Sequence, residues 1–268
     1  MKIIKKSNII NQIVINNKNV GFVPTMGTLH EGHISLIQKS KKKCSITIVS
    51  IFVNPKQFNK KKDFLTYPKK ISQDLKICEK LQVDYLFLPS FDEVYHWKNK
   101  KVIYPKIDKI MEHKFRKNHF KGVLDVMSKL LSIIPNSKVF MGKKDYQQYF
   151  IIKNFCQINN LKSQIVPCNT IRSKFGFALS SRNLLINTKS HKIMSKVYKT
   201  IKNYKKNNYL KKFSNSKIKN LLKKVGIIKI DYINLINLSN LKISKRISKK
   251  TNIFIAYYLD SVRLIDNI

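Results

Sequence analysis

The chain has 268 residues, with 54 Lys and Arg against 14 Asp and Glu, for a formal net charge of +40 and a pI near 10.1. At 43% hydrophobic and 10% aromatic it carries enough apolar surface for a real core, which excludes full disorder despite the charge. Seven Gly and seven Pro exclude a collagen-like or linker-dominated chain, and no apolar run approaches the roughly 20 residues of a membrane helix.

The first residues, Met1 to Lys6, are followed by an apolar stretch interrupted by Asn8, Asn11, Asn16 and Asn17, with no small-residue cleavage site after it; a cytoplasmic protein is expected. From there short β-rich runs alternate with helical stretches. Val20 to Val23, Ser45 to Val53, Val83 to Leu88, Lys138 to Phe140 and Gln164 to Val166 read as strands apolar on both faces, the pattern of a covered parallel sheet. Ile34 to Lys43, Ile71 to Leu81, Val123 to Ile134 and Tyr146 to Asn159 have helical spacing between them. The alternation predicts an open, doubly wound α/β domain. After Asn183 come two basic helical stretches, His191 to Lys206 and Ser216 to Lys224, then strands near Ile228 to Ile236 and Ile253 to Leu259. This predicts a smaller α+β domain, with division into 1–171 and 172–268.

Only five basic residues are arginine: Arg116, Arg172, Arg182, Arg246 and Arg263. A protein that reads phosphates or base edges exploits the bidentate fork of Arg, whereas lysine spread over every segment acts as point charges. The lysine excess accompanies an excess of Asn and Ile, all encoded by codons rich in adenine and thymine. Compositional bias is the expectation, rather than specific nucleic-acid binding. Cys44, Cys78, Cys156 and Cys168 have neither Cys-x-x-Cys nor metal-ligand spacing, which favours reduced, structural thiols.

Four clusters carry chemistry. Val23-Pro24-Thr25-Met26-Gly27-Thr28-Leu29-His30-Glu31-Gly32-His33 lies between the first of these strands and a helix, so free N–H groups at the helix start would face an anionic phosphate at the sheet's carboxyl edge. Gly27-x-x-x-x-Gly32 has the spacing of a Walker A loop, but His33 and Ile34 replace its Lys and Ser/Thr, so a P-loop is disfavoured. Phe52-Val53-Asn54-Pro55-Lys56-Gln57-Phe58 ends the second strand; Asn54 and Gln57 are expected to offer amides to the same crevice. Phe140 to Gln148, containing Gly142-Lys143-Lys144-Asp145, follows another strand, and Leu179-Ser180-Ser181-Arg182-Asn183 lies near the domain boundary. Lys144 and Arg182 are candidates for stabilising phosphate charge.

In order and spacing these motifs, with His119-Phe120-Lys121-Gly122-Val123 and the closing Arg263-Leu264-Ile265-Asp266-Asn267, resemble the pantothenate synthetases, the pantoate–β-alanine ligases of the nucleotidyltransferase superfamily. The resemblance implies a Rossmann-like nucleotidyltransferase domain that binds nucleotide and pantoate. It implies that ATP and pantoate form pantoyl adenylate and pyrophosphate, and that β-alanine then displaces AMP. ATP would be a substrate accompanied by Mg2+, and the chain a homodimer with no membrane or specific nucleic-acid partner. Catalysis would fall to His33, as proton donor, with His30 and Lys144. Met26, Gly27, Thr28, Leu29, His30, Glu31, Gly32, His33, Gly142, Lys143, Lys144, Asp145, Ile171, Leu179, Ser180, Ser181 and Arg182 would bind ATP. Gln57 and Gln148 would bind pantoate, and Gln57 also β-alanine. Two positions depart from the family pattern: Lys143 stands where the family usually has Glu, and Tyr95-His96 replaces Tyr-Pro. Asp74 is a candidate outer-sphere magnesium contact, with an ordinary exposed helix acid as the plainer expectation.

Overall fold

A computed structural model describes residues 1–58, 61–98 and 101–268, the side chains of 61 and 62 excepted. The chain forms two compact units, Met1–Asn169 and Thr170–Ile268.

The first unit is built on β1 (Lys2–Ile4), α1 (Ser7–Ile15), β2 (Val20–Thr25), α2 (Glu31–Lys43), β3 (Ile46–Ile51), α3 (Lys61–Leu65), α4 (Ile71–Lys80) and β4 (Tyr85–Phe87). It continues through α5 (Phe91–Tyr95), α6 (Met111–Phe115), α7 (His119–Ile133), β5 (Lys138–Gly142), α8 (Tyr146–Ile158) and β6 (Gln164–Cys168). Its six strands form one parallel sheet in the order β1-β4-β3-β2-β5-β6. Successive strands run outward from β2 through β3 and β4, then restart on its other side with β5. The switch between β2 and β5 opens a crevice at the carboxyl ends of those strands, where open α/β sheets bind ligands.

Alternate residues of each strand feed opposite cores. Val20, Phe22 and Ile48 pack with Ile10, Leu124, Ile152 and Phe155 from α1, α7 and α8. Val23 and Val49 pack with Leu36, Ile37 and Cys78 from α2 and α4. Each fully buried aliphatic or aromatic side chain contributes about 1.5–3 kcal/mol of transfer free energy. Gly21 sets how closely α2 approaches: a Cβ there would lie 2.0 Å from Ser40 Oγ, which itself bonds Thr47 Oγ1 at 2.8 Å.

The N-terminal pair β1 and α1 was not anticipated from the sequence. Three residues of strand, mostly exposed, make too weak a pattern. The strand is held by its ends, with Lys2 N–H donating to Asp84 O and Leu88 N–H to Ile4 O.

The second unit contains α9 (Thr188–Asn207), α10 (Asn215–Lys224), β7 (Ile230–Asn237), β8 (Thr251–Leu259) and β9 (Val262–Asn267), the strands antiparallel in the order 7-8-9. Val197, Ile201, Leu222, Ile233, Leu235, Ile253 and Ile255 form its core. β9 is an addition to the predicted elements: Asp260 and Ser261, both at positive φ (49° and 63°), close a two-residue hairpin without the glycine that usually signals one. Arg172 grips Asp266 on β9 with both arms of its guanidinium, at 2.8 and 3.0 Å, and also donates to Asn267 O and Gly176 O. Arg263 Nε bonds Asp231 at 2.7 Å.

Candidate active site

The loop after β2 is fixed by its own polar groups. Thr25 Oγ1 donates to Ser50 O and accepts Gly27 N–H. Gly27 and Thr28 both take left-handed conformations, φ 80° and 54°. The chain stays in that shape because Asp74, on α4, accepts Thr28 N–H at 2.8 Å and Leu29 N–H at 2.7 Å, one on each carboxylate oxygen. Thr28 Oγ1 donates to Pro68 O. Asp74 is 2% exposed, so it is neither an exposed helix acid nor a carboxylate with oxygens to spare. Burial pushes its carboxyl above the ordinary value, and the two N–H donors pull it back. The available signal was an acid four residues before Cys78 on the buried face of an amphipathic helix.

His30 caps α2. Its Nδ1 accepts Gly32 N–H at 3.0 Å, and His33 Nδ1 accepts His30 N–H at 3.4 Å. The rings lie 4.2 Å apart between centroids. Gly32 makes this possible, because a Cβ there would fall 2.6 Å from the His30 ring. With both Nδ1 atoms accepting, the neutral rings carry their protons on Nε2. Burial first, then the Lys144 ammonium, lowers His30 to about 4, with Asp145 opposing. Burial, His30 and Lys144 lower His33 to about 3. The N–H groups expected to face a phosphate are therefore largely spent within the protein: Gly27, Thr28, Leu29, His30 and Gly32 all donate internally. The imidazole Nε2–H groups make no hydrogen bond to a described residue. Met26 is half-buried, and Glu31, in the first turn of α2, is exposed.

The loop after β5 acts electrostatically on this helix start: the Lys144 charge lowers both imidazoles, and Asp145 raises His30 and His119. Lys144 Nζ lies 3.3 Å from Asp145 Oδ1, and Lys143 Nζ donates to Asn169 Oδ1 at 3.4 Å. Lys143, on the turn where the family usually has Glu, is thus tied to the residue just beyond β6. Gly142 has φ −73°, and a Cβ added to it would meet nothing within 4 Å.

Asn54 departs from expectation. It is 1% exposed and turned inward: Nδ2 donates to Gly122 O at 3.0 Å, and Oδ1 accepts Lys56 N–H and the Tyr95 hydroxyl. Gln57 remains beside the loop after β2, its Nε2 against Met26 Sδ. His96 N–H closes α5 onto Asp92 O, a bond that proline could not make, so the departure from Tyr-Pro adds a helical hydrogen bond beside Tyr95. Gln147 is buried and holds Glu112 N–H and Ile110 O; Gln148 is half-buried and makes no side-chain hydrogen bond to a described residue.

Within the second unit, Leu179 N–H bonds Ile171 O at 3.1 Å. Ser180 Oγ accepts Arg182 N–H, and Ser180 N–H bonds Asn183 Oδ1, so Ser180, Ser181 and Arg182 start a 3-10 turn over Ser181–Leu185. Arg182 NH1 donates to Arg263 O at 3.0 Å. Asn183 Nδ2 is buried without a partner.

The donors do not form a resident metal site. Among the described residues no three His, Cys, Asp or Glu side chains converge, and both oxygens of Asp74 are engaged. No described helix is long and apolar enough to cross a membrane, and all four cysteines are unpaired.

A parallel sheet with its switch point at β2 and β5, and a pair of neutral imidazoles with a lysine beside it, defines an α/β nucleotidyltransferase-like enzyme. The family model for pantoate-beta-alanine ligase matches residues 2–268, and the chain belongs to that family. It is 40% identical to the pantothenate synthetase of Endomicrobium trichonymphae, covering 100% of this chain and 97% of the relative. It is 39% identical to that of Francisella tularensis subsp. novicida, covering 98% and 94%. The pantothenate synthetase structure from Thermus thermophilus superposes with TM-score 0.89 at 25% identity, covering 100% of this chain and 99% of the other. A pantoate-beta-alanine ligase from Francisella tularensis, complexed with beta-gamma ATP and beta-alanine, superposes with TM-score 0.83 at 38% identity, covering 100% and 97%.

Proposed function

We propose that the chain condenses pantoate with β-alanine at the expense of ATP through a pantoyl-adenylate intermediate. The pantoate carboxylate attacks the α-phosphorus, the bond to the β-phosphate breaks, and pyrophosphate leaves. The amine of β-alanine then attacks the acyl carbon, AMP departs with the acyl C–O electrons, and the surplus amine protons pass to solvent. No covalent enzyme nucleophile is needed; positioning and charge stabilisation carry the rate.

The observation that carries this reading is the geometry at the start of α2, where both Nδ1 atoms accept main-chain N–H groups. His30 and His33 present Nε2–H, fixed by their Nδ1 contacts, with the Lys144 cation beside them. Such neutral donors bind phosphoryl oxygens without the desolvation cost of two further cations. His33 acts as proton donor in the sense of a hydrogen bond that strengthens as charge develops on the phosphoryl oxygens. Lys144 supplies the matching positive charge. Met26 to His33, Gly142 to Asp145, Ile171 and Leu179 to Arg182 bind ATP in this scheme. Gln57 and Gln148 take pantoate, and Gln57 also β-alanine. Residues 1–171 serve as the nucleotide- and pantoate-binding domain and 172–268 as the smaller domain. Mg2+, accompanying ATP, would neutralise part of the phosphate charge. The enzyme works as a cytoplasmic homodimer.

The deciding assay is pantoate-dependent exchange of pyrophosphate into ATP, followed by AMP release only when β-alanine is added. Absence of exchange ends the reading. His33→Ala and Lys144→Ala are each expected to reduce exchange by about 10²–10³-fold while the protein still folds; near-normal exchange in either removes its assigned role.

A further inference from the structure

The motif His119-Phe120-Lys121-Gly122-Val123 has no part in the scheme above, yet its first residue is 6% exposed and both of its ring nitrogens are engaged. His119 Nδ1 lies 2.8 Å from the main-chain oxygen of Gln57, and Nε2 lies 2.9 Å from Arg116 NH1. A guanidinium only donates and a carbonyl only accepts, so the tautomer is fixed: Nδ1–H donates to Gln57 and Nε2 accepts from Arg116.

The connection continues beyond the ring. Arg116 NH1 lies 3.6 Å from Glu112 Oε2, on a side chain that is 8% exposed. The Glu112 N–H donates to Gln147 Oε1 at 3.0 Å, and Gln147 Nε2 donates to Ile110 O at 3.2 Å. Gln147 directly precedes Gln148 on α8. A continuous chain of polar contacts therefore runs from the main chain of Gln57 to the residue beside Gln148, by way of α6 and the start of α7.

A second contact locks the same pair of elements. A Cβ on Gly122 would lie 2.2 Å from Lys56 O, so the first turn of α7 sits directly on the Pro55–Gln57 turn. Asn54 Nδ2 bonds Gly122 O across that contact. The sequence pattern Asn-Pro-x-Gln and the pattern His-Phe-x-Gly are thus two halves of one joint.

We infer that His119 is a positioning residue for pantoate: by holding the Gln57 carbonyl through Nδ1–H it sets where the Gln57 side chain meets the substrate, and through Arg116, Glu112 and Gln147 it keeps Gln57 in register with Gln148. The inference rests on the reading that Gln57 and Gln148 bind pantoate. His119 does not touch substrate, since its ring is buried and both nitrogens are occupied within the protein. Its effect falls on the pantoate side of the reaction and not on the nucleotide, whose loop is clamped separately by Asp74.

Two near-isosteric variants separate the two bonds of the ring. In His119→Asn the amide nitrogen takes the place of Nδ1 and keeps the bond to Gln57. In His119→Gln the amide oxygen reaches the place of Nε2 and keeps the bond to Arg116 while the donor to Gln57 is lost. Exchange of pyrophosphate into ATP, which requires pantoate but no β-alanine, is measured with each, alongside the melting temperature. The expected result is a rise of about tenfold in the pantoate KM for His119→Gln, with the ATP KM within about twofold of the parent, and a smaller rise of about threefold in the pantoate KM for His119→Asn, which keeps the Gln57 bond but cuts the link through Arg116. Equal behaviour of the two variants, or pantoate and ATP KM values rising in step, would overturn the inference. Gln57→Ala is the control on the underlying reading: an unchanged pantoate KM in that variant removes the assignment of Gln57 and this proposal with it, whereas a raised KM there with a parental His119→Gln rejects the linkage alone.

Discussion

Two neutral imidazoles at one helix start behave differently from two imidazolium ions. With Nδ1 of His30 and His33 turned toward the backbone, the rings cannot reorient without breaking the cap of α2. His-x-x-His spacing made them visible in the sequence, but spacing does not reveal the tautomer, which follows only from which nitrogen meets an N–H. Gly142 is the complementary case. Its φ suits any residue and no protein atom lies where its side chain would be, so the fold gives no reason for glycine there. In the proposed scheme, close approach of the nucleotide would give one. Gly142→Ala is therefore expected to leave the melting temperature unchanged or raise it, by at most about 1 kcal/mol of added stability, while raising the ATP KM severalfold. A parental ATP KM in that variant would remove Gly142 from the nucleotide site. Asn54 was misjudged because an amide at a strand end looks the same in sequence whether it faces a substrate or, as here, the Gly122 carbonyl.

Among the elements, the βα alternation of the first unit was legible because its central strands are apolar on both faces and its helices amphipathic. β1 and β9 were not, since one is short and exposed and the other follows a hairpin closed by Asp260 and Ser261. α4 shows what periodicity misses: it identified the helix but not the acid on its buried face. Asp74→Asn keeps the shape but turns one acceptor into a donor against a main-chain N–H. It should cost about 1–3 kcal/mol and raise the ATP KM, because the loop 26–29 loses its clamp. Thermal melts and exchange kinetics read both effects, and a variant with parental values for each would show that the left-handed turn at Gly27 and Thr28 stands without Asp74.

For the whole molecule, the net charge of +40 raises the local concentration of ATP and pantoate only modestly and in a salt-sensitive way. Three histidines matter more for its response to pH. His30, His33 and His119 are lowered from 6.5 to about 4, 3 and 3, each chiefly by burial. Below 6.5 the unfolded chain takes up protons that the folded chain refuses, so unfolding gains ground. Stability is full above pH 6.5 and is lost as pH falls toward 4, at up to about 1.4 kcal/mol per pH unit for each histidine. Without substrates, the melting temperature should drop steadily between pH 7 and pH 5, and the drop should be shallower in His119→Asn. A flat profile would mean that these rings are not held neutral.

The grip of Arg172 on Asp266 gives the scarcity of arginine another meaning. Four of the five arginines hold named partners: Arg116 at His119 and Glu112, Arg172 at Asp266, Arg182 at the Arg263 carbonyl, and Arg263 at Asp231. Lysine can stand in for arginine wherever a charge in water suffices, but it cannot reproduce a planar fork directed at two atoms. In a chain with 49 lysines, Arg172 therefore marks a place where the fold demands a shape and not merely a charge, and it is a cation to keep when the surface is redesigned.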